Sequence, residues 1–338
     1  MRLLVLPALG LLSLASLLPA AKPLEFYFID TEGGQATLIV TPSGQSMLVD
    51  AGWPGFQGRD QTRIMAAAKK AGVKKIDYMI TTHYHLDHIG GVPPLADKFP
   101  IGTFVDHGPN VETGKQSDHL SEEYNRVVQK GQHLVVKAGD SLPIKGVDIK
   151  FVSANGDLLT SPLPGAGAAN ALCASAVKKE VDPSENARSA GFVLSFGDKF
   201  RFIDLGDLTW NKELELVCPN NLLGNVDVYL TTHHGMDMSG SETIVHALHP
   251  RVAIMNNGAR KGGSVPAWKA VKSSPGLLDL WQLHFAVDGG AENNVPDVFI
   301  ANTQEACEGA WIRLTVQPSG EFTVYNSRNK HEKTYPAR

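Results

Sequence analysis

The chain has 338 residues, 43% hydrophobic and 20% charged, a globular balance that excludes a disordered chain or a coiled coil. Lys+Arg 31 against Asp+Glu 35 leave a net charge of −4, so no strongly basic field exists to hold a long nucleic acid by its phosphates. Gly 33 and Pro 20 imply many turns, and no repeat period marks a solenoid or a fibre.

At the N-terminus, Arg2 precedes an uncharged apolar run over residues 3–18, followed by the small residues Ala20 and Ala21. That order is the order of a secretory signal peptide, with cleavage expected near residue 21. The run falls short of the roughly 20 apolar residues that span a bilayer, and Pro7 and Pro19 interrupt it. A secreted or periplasmic protein of residues 22–338 is expected, a retained anchor being the alternative. Cys173, Cys218 and Cys307 are an odd number without CxxC spacing, which argues against a zinc knot. One disulfide and a spare thiol fit the count, but the spacing leaves the pairing open.

Past the leader, apolar runs at 26–29, 37–40 and 47–49, separated by Gly33-Gly34 and Pro42-Ser43-Gly44, read as an antiparallel meander. Residues 61–71 read as a helix stopped by Gly72. A strand at 78–82 ends in a histidine cluster. Further strands are expected at 103–105, 133–137, 149–152, 192–196, 200–203 and 226–231. Residues 154–189, rich in Ala, Gly, Pro and Ser, read as a long loop or insertion. From about residue 277 a β-rich extension is expected, with strands at 311–316 and 322–325, packed on the main body.

An internal repeat is visible. DYMITTHYHLDH, from Asp77, lies over DVYLTTHHGMDM, from Asp227, and MLVDAG, from Met47, lies over RFIDLG, from Arg201. Two β-rich halves, each delivering strand ends to a common edge, would account for both pairs.

THYHLDHIGG concentrates His83, His85, Asp87 and His88 in six residues just after an apolar strand. Imidazole and carboxylate donors suit Zn²⁺, or Mn²⁺ and Fe²⁺, and one such segment can serve two adjacent ions. Asp207 follows the strand at 200–203, and His233-His234-Gly235 follow the strand at 226–231. A carboxylate and a histidine from separate strand ends complete what a bridged two-metal site needs.

HxHxDH with Asp50 upstream in LVDAG, a downstream Gly206-Asp207 and a His-Gly resembles the metallo-β-lactamase superfamily. More narrowly, FYFIDTEGGQATLIVTPSGQSMLVDAG and the later HHG resemble the metallo-hydrolase domain of ComEC-type DNA-uptake proteins, without their membrane-channel segments. The resemblance covers roughly residues 26–257. It implies an α+β, four-layer αββα sandwich with the metal site along the shared edge of two sheets. It implies His83 and His85 on one metal, Asp87 and His88 on a second, Asp207 bridging, and Asp50 orienting a ligand histidine. The family's last ligand matches His234, with His233 then contacting substrate; the internal repeat instead sets His233 over His83. Asp87 and His233 are the expected catalytic residues. One departure stands out. Relatives with full two-metal sites carry a further histidine before the Gly-Asp, where this chain has Asn186 or Arg188, so the His83/His85 ion is short of a ligand. Asp106 and His107 are candidates to compensate, and His284 is a candidate to border the pocket.

Metal-activated hydroxide implies hydrolysis. The acidic chain favours a small or short phosphoester or phosphodiester as substrate. Lactone, β-lactam or thioester hydrolysis is the alternative, and a non-catalytic metal-bound binding protein differs in class. Arg260 and Lys261, followed by Gly262 and Gly263, are the candidate phosphate anchor.

Overall fold

Side-chain alternation sets the layers. The computed structural model describes residues 22–338, and the expected leader lies outside them. In β1 (Leu24–Phe28), Phe26 and Phe28 enter one apolar core while Tyr27 enters another. The chain continues through β2 (Thr37–Val40), β3 (Ser46–Val49), α1 (Arg59–Lys70), β4 (Ile76–Ile80), α2 (Leu86–Ile89) and α3 (Val92–Ala96). Next come β5 (Ile101–Asp106), α4 (Lys115–Val128) and β6 (Gln132–Val135). A second series runs β7 (Asp148–Phe151), the small ribbon of β8 (Ser153–Ala154) and β9 (Asp157–Leu158), β10 (Phe192–Phe196) and β11 (Phe200–Asp204). It goes on through α5 (Trp210–Val217), β12 (Val228–Leu230), α6 (Glu242–Leu248), β13 (Val252–Met255), α7 (Val265–Lys272), β14 (Asp279–His284) and β15 (Ile300–Asn302). Three strands close the chain: β16 (Ile312–Val316), β17 (Phe322–Asn326) and β18 (Glu332–Tyr335).

The first sheet has the order β18-β17-β16-β1-β2-β3-β4-β5-β6, and the second β15-β14-β13-β12-β11-β10-β7. In both, antiparallel neighbours give way to parallel ones: β1-β2-β3 to β4-β5-β6, and β7-β10-β11 to β12 through β15. Three apolar cores separate four layers. Phe26, Met47, Phe192, Phe202 and Trp281 fill the space between the sheets. Leu48 and Met79 pack outward on Ile64 and Ala67 of α1 and on Tyr124 and Val127 of α4. Ile203 and Tyr229 pack on Leu216 of α5 and on Ile244 and Val245 of α6. The fold is the expected αββα sandwich.

The predicted strands fall where their apolar runs lie, with ends shifted by no more than two residues. The chain beyond residue 277 is woven into the body: β14 and β15 extend the second sheet, and β16 to β18 the first. Residues 159–183 form no strand or α-helix, and Cys173 pairs with Cys218 at the end of α5. Cys307 is the free thiol.

Candidate metal centre

Each donor stands just beyond the carboxyl end of a parallel strand, where open α/β sheets bind ligands. Asp50 follows β3, His83 and His85 follow β4, and Asp87 and His88 lie on α2. Asp207 follows β11, and His233 and His234 lie in a short turn, Thr232–Gly235, after β12. Both of these histidines, and Asp50, hold left-handed backbones (φ near +55°), a strained state for such residues. Gly262 lets the loop after β13 lie against this turn, since a side chain there would run into the His234 carbonyl. Gly263 N donates to that same carbonyl at 2.9 Å.

The hydrogen-bond partners assign the histidine tautomers. His88 Nδ1 donates to Asp50 Oδ2 at 2.7 Å, which leaves Nε2 as a lone pair. The Thr82 hydroxyl donates to the same Asp50 oxygen at 2.7 Å, so its oxygen accepts from His83 Nδ1 at 3.1 Å. His85 Nε2 donates to Glu112 Oε1 at 2.7 Å. Ser239 donates to the Leu208 carbonyl at 2.7 Å and accepts from His233 Nδ1 at 3.3 Å.

The Nε2 atoms of His88 and His234 converge on two carboxylates. His88 Nε2 lies 3.2 Å from His234 Nε2 and 3.3 Å from both Asp87 Oδ2 and Asp207 Oδ2. His234 Nε2 lies 3.3 Å from Asp87 Oδ2 and 3.4 Å from Asp207 Oδ1. Asp87, His88, Asp207 and His234 place their ligand atoms within 4.8 Å of one another. Asp207 Oδ1 is buried without a hydrogen-bond partner. Two imidazoles and two carboxylates facing one another in a buried space attract positive charge, and this donor set fits a divalent ion.

Beside it, His83 Nε2 and His85 Nδ1 point bare nitrogens at each other across 3.1 Å, and His83 Nε2 is 3.9 Å from Asp207 Oδ2. His233 Nε2 approaches Asp207 Oδ2 to 3.3 Å. Asn186 stands in the segment of the missing family histidine, buried, with Oδ1 unpartnered.

The electrostatics express the same demand for positive charge. Burial alone would depress His88, but Asp207, Asp87 and Asp50 lift it well above its ordinary value. Burial opposes ionisation of Asp207, yet His88, His233 and His234 hold its carboxyl well below the usual range. Asp87 is held low against burial by His88, His234 and Lys261. Burial keeps His233 below its ordinary value.

Other candidates separate. Arg260 is exposed and paired with Glu305, whereas the Lys261 ammonium sits on Asp87 and over the Trp53 ring. His107 pairs with Glu185 at 3.0 Å, and Asp106 binds Tyr124 and His133; neither joins the metal group. His284 bonds Asp30 at 2.7 Å in a separate cluster; burial works against its charge, but Asp30 raises it to about 9. Glu112 and Thr82, which set the tautomers of His85 and His83, carry no signal in the sequence. A cavity of about 520 Å³ borders His85 and Asp87 and reaches Glu112, Lys115 and Gln116.

The family model described as metallo-beta-lactamase superfamily matches residues 29–167. Among curated proteins, coenzyme F420H(2) oxidase of Methanothermobacter marburgensis is 27% identical over 105 residues, 31% of this chain. The matched stretch spans 24% of that relative's length. Among solved structures, the metallo-beta-lactamase fold protein YhfI from Bacillus subtilis has a TM-score of 0.49 at 13% identity, covering 77% of this chain and 96% of that one. CmlA, a diiron beta-hydroxylase from Streptomyces venezuelae, has a TM-score of 0.40 at 16% identity, covering 75% and 47%. Residues 29–167 thus match the metallo-beta-lactamase superfamily model, and the described residues form a four-layer αββα sandwich.

Proposed function

We propose that the chain is an exported metal-dependent hydrolase acting on small phosphoesters or phosphodiesters. The observation that carries this reading is the convergence of the ligand atoms of Asp87, His88, Asp207 and His234 beside a cavity bordered by Lys115. A divalent ion bound there lowers the pKa of water to about 7 and polarises an ester oxygen.

The chain's own groups do the rest. Asp50 and Thr82 lock His88 and His83 in the tautomers that leave Nε2 free. His233 is kept neutral by burial, so Nε2 takes a proton from the attacking water and returns it to the leaving oxygen as the ester bond breaks. Lys261, beside Asp87, and Lys115, on the cavity wall, give an anionic substrate its charge partners. The oxygen and nitrogen donors, without sulfur, suit zinc or manganese and phosphoester chemistry. The name of the partially matching oxidase motivates a second reading, redox chemistry on the same residues.

Hydrolysis of bis-p-nitrophenyl phosphate with Zn²⁺ or Mn²⁺ tests the proposal. Turnover is expected, falling at least about 100-fold in Asp207→Ala, beyond the usual loss for an outer ligand partner. Lactone, β-lactam or thioester turnover without phosphodiester turnover would shift the substrate class. Oxygen consumption by the iron-loaded protein, with no hydrolysis, would favour the redox reading.

A further inference from the structure

A second mixed donor cluster lies outside the centre above. Asp30, two residues beyond β1, His284, ending β14, and Cys307, in the loop after β15, place their ligand atoms within 4.8 Å of one another. His284 Nε2 is 2.7 Å from Asp30 Oδ1. Cys307 Sγ is 3.2 Å from Asp30 Oδ2 and 4.0 Å from both His284 Nε2 and Glu32 Oε1. Asp30 and His284 are fully buried, and Cys307 lines a cavity of about 530 Å³ that offers an ion a way in.

We propose that Asp30, His284 and Cys307 bind a divalent ion of the zinc type, with Glu32 or water as fourth ligand. Thiolate, imidazole and carboxylate together select such an ion over magnesium or calcium. Bonds of about 2.0–2.3 Å in a tetrahedron set donor atoms roughly 3.3–3.8 Å apart, so binding opens the 2.7 Å His284–Asp30 and 3.2 Å Cys307–Asp30 separations and closes the 4.0 Å Cys307–His284 separation to that range. The surroundings orient the donors. Arg63 Nη1 donates to Asp30 Oδ2 at 2.8 Å, and Glu32 N donates to Asp30 Oδ1 at 2.8 Å. Arg63 Nη2 lies 3.2 Å from Glu32 Oε1 and donates to the Cys307 carbonyl at 3.3 Å. Arg63 Nη2 also lies 3.6 Å from Cys307 Sγ, so an entering ion displaces that contact and the His284 Nε2–Asp30 hydrogen bond. Because β1 belongs to the first sheet and β14 to the second, the ion would clip the two sheets together with the loop after β15.

Cobalt substitution tests this on the full chain. Cys173 and Cys218 are in a disulfide, and the other centre offers only oxygen and nitrogen donors. A near-ultraviolet thiolate-to-Co²⁺ charge-transfer band must therefore come from Cys307. The band is expected in the wild type, rising to one equivalent, retained in Asp207→Ala and lost in Cys307→Ser. Zinc is also expected to slow alkylation of Cys307 by at least about tenfold, because alkylation needs the free thiolate. A wild-type protein with its thiol reduced but no band, or a band that persists in Cys307→Ser, would overturn the proposal.

Discussion

Asp50 does more for the centre than its distance from any metal suggests. Its two oxygens accept the Thr82 amide at 2.8 Å, the Thr82 hydroxyl at 2.7 Å and His88 Nδ1 at 2.7 Å. The left-handed backbone at Asp50 (φ 58°) stands just after β3, where this carboxylate meets Thr82 and His88. Asp50→Asn keeps the shape but places an amide donor against groups that need an acceptor. Zinc affinity is expected to fall by about 10–100-fold, with the fold intact by circular dichroism, when measured by competition with a chelator. The HxHxDH donors were legible because four of them crowd into six residues. Lys261 was legible only as a loop cation; its place on Asp87 depends on the loop after β13 folding back over the His234 turn.

At the level of elements, the repeat seen in the sequence corresponds to a physical equivalence. β3 pairs parallel with β4 as β11 pairs with β12. Asp77 Oδ2 accepts the Ser46 amide at 2.9 Å as Asp227 Oδ2 accepts the Arg201 amide at 2.9 Å, each fixing the start of such a pair. The counterparts at the strand ends diverge. Asp50 serves His88, whereas Asp204 binds Gln35 and the Gly206 amide, and burial pushes it up to about 7. The helices α6 and α7 were not legible, being seven and eight residues long and held by packing on the second sheet. The insertion at 154–189 was legible by composition, but its anchor was not, because three cysteines allow three pairings. Cys173–Cys218 closes a separation of 45 residues. In the chain-entropy description such a loop contributes about 4 kcal/mol. Cys173→Ser with Cys218→Ser is expected to lower denaturant stability by up to that amount and to open residues 159–183 to protease first, read by limited proteolysis.

For the whole molecule, the sandwich matters because neither sheet holds a complete centre. Asp87 and His88 come from the first sheet's helical edge, Asp207 and His234 from the second, and the Phe26, Phe192 and Phe202 core holds the two edges in register. The fold class was legible through the family resemblance that HxHxDH, LVDAG and HHG carry, and the two β-rich halves through the repeat of their strand ends. The addition of β16 to β18 to the first sheet depends on the pairing of β16 with β1 across nearly the full chain, beyond any local pattern. The central claim is that one buried metal centre is shared between the sheets and hinges on Asp207. Equilibrium dialysis of zinc tests it most directly, using Cys307→Ser protein with and without Asp207→Ala so that the second cluster is silent. The account predicts tightly bound zinc in the parent and its loss when Asp207 is removed from a still-folded chain. Equal zinc in both proteins would contradict it.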